Sequence, residues 1–77
     1  MSSDEILHLA FENIAGHLAN LDSIRSLVQE LTGHGHSIDE AIQTLLGMME
    51  EAEVTLRTDL RILINEIRHL IRGKFSG

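Results

Sequence analysis

The sequence predicts an all-α chain: two long helices folded back on each other as an antiparallel hairpin, with two such hairpins joined in a four-helix bundle. Three observations lead there. Proline is absent and glycine is confined to Gly16, Gly33, Gly35, Gly47, Gly73 and Gly77, which leaves two long stretches free of strong helix breakers. Within those stretches apolar residues recur at three- and four-residue steps, the spacing of one buried helical seam. Between them lies Gly-His-Gly-His-Ser, residues 33–37, where one pattern stops and another starts.

The first helix is expected over about residues 3–32. Ser2 or Ser3 supplies its N-cap, and Asp4 and Glu5 are favourable in a first turn, near the positive end of the macrodipole. Its seam is Leu7, Phe11, Ile14, Leu18, Leu21, Val28 and Leu31. Arg25 falls within that seam, so its guanidinium must either snorkel past aliphatic neighbours or meet an acid, with Asp22, Glu40 and Glu51 the nearest choices. Asn13, His17 and Asn20 form a polar row on one flank, read as facing water rather than setting helix register.

The turn is specified in detail. Gly33 suits a left-handed C-terminal cap, and Ser37 with Glu40 three residues on forms a capping box for the next helix. A connection of this length, residues 33–37, directs the two helices antiparallel.

The second helix is expected over about residues 38–72, on the order of 50 Å at roughly 1.5 Å per residue. Its seam is Ile38, Ile42, Leu45, Met49, Ala52, Leu56, Leu60, Leu63, Ile67 and Leu70. The successive four-residue steps Ala52 to Leu56 to Leu60 form a stutter that locally unwinds a supercoil. Gly47 suggests a close helix approach or a bend.

Too many apolar residues lie off these seams or beyond the first helix for one hairpin to cover. On the first helix they are Ile6, Ile24 and Leu27; on the second, Leu46, Met48, Ile62, Ile64, Ile67, Leu70 and Ile71. Each uncovered Leu or Ile forgoes roughly 1.5–3 kcal/mol of burial, a large share of a small domain's net stability. These residues, with Arg25, are therefore assigned to an interface between two copies, making a homodimer the expected state. A hairpin completed by a helix of another protein, as in a small chaperone or heteromeric subunit, is the alternative.

The chain has 77 residues and no cysteine, so one small domain without a disulfide is expected. Net charge is −6, but unevenly spread: residues 1–56 carry ten acids against Arg25, while residues 57–77 carry Arg57, Arg61, Arg68, Arg72 and Lys74 against Asp59 and Glu66. No apolar run approaches the ~18 residues of a membrane span, and Met-Ser-Ser-Asp-Glu lacks the basic start of a secretory signal. A soluble cytoplasmic protein with no membrane association is expected.

Candidate chemistry is sparse. Glu5/His8 and Glu66/His69 have the Glu-x-x-His spacing of dinuclear metal centres in helical bundles, but at ~100° per residue both pairs point away from the apolar seams. His34 and His36 offer two imidazoles where a metal site needs three or four ligands. Neither a metal nor another cofactor is expected. Ser23 and Ser26 are placed in mid-helix without a base at a useful spacing, and no phosphate-cradling glycine loop is present, so an enzyme is not expected. The sharpest constellation is Arg57, Arg61, Arg68 and Arg72, which fall in one stripe spanning about 60° of the second helix. Such a row can bind anions; as a nucleic-acid surface it lacks interleaved aromatics for base stacking, so nucleic acid is disfavoured. A non-enzymatic protein-interaction or regulatory module is the function these features favour, with an RNA- or DNA-binding bundle as the reading from another class.

Overall fold

A computed structural model of the chain describes the backbone of residues 2–76 and the side chains of residues 2–73. Each of the two expected long helices is broken near its middle. The first becomes α1 (Ser3–Ile14), a 3-10 turn (Ala15–His17) and α2 (Leu21–Leu31); the second becomes α3 (Ile38–Glu51) and α4 (Val54–Ser76). No strand occurs among the described residues. α4 packs against both α1 and α3, and α1 against α2.

The first break is held by a residue forty positions away. Leu18 turns extended, and the carboxylate of Asp59 accepts hydrogen bonds from the backbone amides of Ala19 (3.1 Å) and Asn20 (2.6 Å) and from the Asn20 side-chain amide (3.1 Å). Asp59 is only 2% exposed, and a carboxylate so deeply buried is tolerable only because its oxygens meet donors. Its negative charge also lies at the N-terminal end of α2, the favourable end of that helix dipole. The polar row expected to face water is therefore partly interhelical. Asn20 binds Asp59 and Asn13 donates to Glu66 (3.0 Å), both on α4, while His17 is exposed.

The second break falls at the Ala52–Leu56–Leu60 stutter. Ala52 is extended, and three acids, Glu50, Glu51 and Glu53, crowd the negative end of the α3 dipole. Arg57 answers them: its Nε donates to the Met49 carbonyl and its Nη2 to the Ala52 carbonyl, each at 3.1 Å. The side chain of Arg57 thus caps α3. Val54 and Thr55, β-branched and weak helix formers, complete the corner.

Breaking both helices folds their halves over one another, and the off-seam residues find cover inside one chain. Ile6, Ile24, Ile64 and Ile67, expected at an interface between copies, are buried in the core with Leu7, Leu45, Leu60 and Leu63. Leu27, Leu46, Ile62, Leu70 and Ile71 pack half-buried against it; Met48 alone of the apolar set stays exposed, at 38%. Arg25 is outside the core, where it pairs with Asp22 (3.2 Å) and lies 5.9 Å from the centre of the Phe11 ring. The chain measures 35 Å along its longest axis, with a radius of gyration of 11.6 Å. A folded chain of this length is expected near ~11.5 Å. Four shorter helices thus stand where two long ones are expected, and Ile6, Ile24, Ile64 and Ile67 are covered within one chain.

The turn at residues 33–37 keeps its expected form. Gly33 has φ +80°, and Ser37 and Glu40 complete the capping box in both directions. α1 anchors this loop: the Ser3 hydroxyl donates to the His36 carbonyl (2.8 Å), and Asp4 accepts from the Gly33 amide (3.0 Å). Ser2 is the residue that caps α1.

Two variants test this construction. Asp59→Ala strands the turn amides and should cost about 2–3 kcal/mol in urea unfolding, with faster amide exchange at Ala19 and Asn20; an unchanged midpoint would show that the first break holds without it. Gly47 sits within an unbroken α3, and a Cβ there meets nothing within 4 Å, so neither a bend nor a close approach needs it. Gly47→Ala should add about 1 kcal/mol and raise Tm by about 4–8 °C, read by calorimetry.

Candidate functional site

The four arginines of the sequence stripe line one groove. It runs between α3 and α4 as three adjoining hollows, of about 720, 270 and 450 Å³, that share Gln43, Leu46, Met49 and Arg68. On α3 the lining positions 39, 42, 43, 46, 49 and 50 advance by helical steps; on α4 the positions 57, 61, 64, 65, 68, 71 and 72 do the same. The floor is aliphatic and thioether: Ile42, Leu46, Met49, Ile64 and Ile71. Arginines form the α4 wall, and Asp39 and Glu50 stand on the α3 side.

The arginines are not equivalent. Arg57 is committed to the α3 carbonyls, and Arg72 also has an interaction partner. Arg61 and Arg68 are exposed and make no hydrogen bond or ion pair among the described residues. They carry the groove's available positive charge. Sequence periodicity places this row; the floor from α3 does not follow from it, because a straight hairpin puts Leu46 between copies and Met49 in its seam.

Other candidates stay apart. Glu5, His8 and His69 are exposed, and Glu66 is engaged by Asn13. His34 and His36 rings lie 6.0 Å apart in the loop, and His36 Nδ1 is 3.9 Å from Glu40. No group of three or more potential metal ligands occurs among the described residues. No helix among them is long and apolar enough to cross a membrane.

No family model, curated protein or solved structure matches this chain. An aliphatic floor with a guanidinium wall recognises an apolar stripe flanked by carboxylates.

One carboxyl beside the loop, that of Glu40, is displaced from its ordinary value. The Ser37 amide and hydroxyl hydrogen bonds hold the Glu40 carboxyl below its ordinary value, with a further contribution from His36. A depressed native pKa means that the stabilisation is complete above the unfolded-state value and is lost as pH falls through the native one. In an NMR titration the Glu40 carboxyl should titrate below a Glu in an unfolded peptide, and Glu40→Gln should remove this increment of acid sensitivity. A Glu40 midpoint at or above the unfolded value would refute it.

Proposed function

We propose that the protein is a non-enzymatic interaction module that takes an amphipathic helix of a larger protein into the α3–α4 groove, with acids on the edge of that helix facing α4. The observation that carries this reading is the placement of Arg61 and Arg68, without partners among the described residues, along one wall of an aliphatic groove that follows two parallel helical stripes. Helix-in-groove recognition uses apolar anchors at i, i+3, i+4 and i+7, and Arg is favoured among residues that dominate such interfaces. Met49 on the floor adapts its shape to the anchor it receives.

The module acts as a single chain in this reading. Ile6, Ile24, Ile64 and Ile67, the strongest members of the surface assigned to a second copy, lie in its own core. Nucleic acid is the competing ligand for the same arginines, and it is less well matched. Asp39 and Glu50 line the opposite wall, the net charge is −6, and the lining contains no aromatic on which a base could stack.

The test uses a helical peptide with Leu at i, i+3, i+4 and i+7 and Glu along one flank, beside a Lys-flanked counterpart. The acidic peptide should shift the methyl signals of Leu46, Met49 and Ile64, and Arg61→Glu with Arg68→Glu should weaken it by tenfold or more, about 1.4 kcal/mol. Equal effects from both peptides, or none, would overturn the reading. Binding of single-stranded RNA or DNA through the same arginines, with a steep salt dependence, would replace it.

A further inference from the structure

A second groove of opposite charge lies on another face. It opens between α2 and α3, two helices with little mutual contact, and is floored by Leu56 and Leu60 of α4. Its volume is about 360 Å³. The α2 wall consists of Ser23, Ser26, Leu27 and Glu30, positions i, i+3, i+4 and i+7 of one helical face. On the α3 side stand Met48 and Glu51, three residues apart, and Ala52 of the extended corner.

We infer that this groove is a docking site for a basic amphipathic helix of another protein, separate from the groove walled by Arg61 and Arg68. The shape comes first: two helices set apart over the floor of a third leave a slot into which a further helix can lay one face. Ser23 and Ser26 are small, so an incoming helix can approach the α2 wall closely before meeting side chains. Chemistry follows from the lining. Leu27, Met48 and Leu56 supply apolar contacts, Glu30 and Glu51 stand on opposite walls, and no basic residue lines the groove. Both acids are exposed and lack an ion-pair partner among the described residues. An apolar stripe flanked on both sides by Lys or Arg meets each requirement, whereas an acidic helix would be repelled from both walls.

A second copy of the chain is a poor occupant. Its basic amphipathic helix is α4, and the apolar side of α4, Leu60, Leu63, Ile64 and Ile67, is already buried in its own core. The two grooves would give one small module two partners of opposite charge, a bridging role beyond the single-site reading.

The inference is tested with the full chain and a helical peptide bearing Leu at i, i+3, i+4 and i+7 with Lys on both flanks; a peptide of equal charge with Ala in place of Leu is the control. Methyl NMR should show shifts at Leu27, Met48 and Leu56, not at Leu46 or Ile64, and the Ala control should bind at least tenfold more weakly. Glu30→Lys with Glu51→Lys should weaken the Lys-flanked peptide at least tenfold, while Arg61→Glu with Arg68→Glu leaves it unchanged. Circular dichroism of both double variants checks that the fold is kept. Shifts confined to the α3–α4 groove, indifference to the Glu30/Glu51 exchange, equal binding of the Ala control, or absence of binding would overturn the inference. So would shifts at Leu27 and Met48 that grow with protein concentration without peptide, since a second copy would then fill the groove. Because the two peptides and the two double variants report separately, failure at one groove does not decide the other.

Discussion

The fold depends on a carboxylate placed where no carboxylate should rest without strong reason. Asp59 is 2% exposed, and it is tolerable there because the turn at Ala19–Asn20 presents two backbone amides and one side-chain amide to its oxygens. The dependence runs both ways, for the turn amides in an unbroken helix would have had carbonyl partners four residues back. Two residues earlier on α4, Arg57 does the converse for the other break, giving donors to the carbonyls that end α3. The first turns of α4 therefore hold both elbows: an acid for exposed amides, a base for exposed carbonyls. Each sign agrees with the helix dipole that it faces.

Once both elbows are held, the rest follows from burial. A straight helix in a hairpin can cover one stripe, but four shorter helices can each turn a stripe toward α4 and toward one another. Ile6 from α1, Ile24 from α2, Ala41 and Leu45 from α3, and Ile64 and Ile67 from α4 meet in one core. With these positions of α4 turned inward, Arg61 and Arg68 are left outward beside α3, and the sequence stripe becomes the wall of a groove.

Much of the local structure could be read from local signals. Gly33 at φ +80° and the Ser37–Glu40 capping box are decided by residues within four positions of each other, and both appear where the sequence places them. The breaks could not be read that way. Gly16 and Gly47 look alike as isolated glycines in helical patterns, yet one lies in the 3-10 turn and the other in an unbroken α3. What distinguishes them is Asp59, forty residues along from Ala19 and indistinguishable in sequence from a solvated acid. The second break did leave a trace, the stutter at Ala52–Leu56–Leu60. In a long coiled coil that pattern loosens the supercoil; in this short chain, with acids crowding the end of α3 and an Arg at reach of its carbonyls, the helix turns a corner instead. Arg25 lies outside the core for a related reason: the break between α1 and α2 takes it off the seam that a continuous helix would draw.

The same elbow constrains what each groove can use. Met48 and Met49 are sequence neighbours whose side chains line different grooves, and Ala52, whose carbonyl Arg57 holds, lines the acidic one. An anion drawn to Arg57 would compete with the Met49 and Ala52 carbonyls, of which that of Met49 also accepts from the Ala52 amide at 3.4 Å, and winning would remove the Arg57 cap from α3. Uncapping and loss of the dipole match each cost about 1 kcal/mol, close to what an exposed ion pair returns. Arg57 therefore has little to gain from a ligand, although its position in the stripe resembles that of the others. Discrimination in the basic groove falls to Arg61 and Arg68, whose charge can be neutralised without dismantling a helix end, and the corner between the two grooves stays fixed while either is filled.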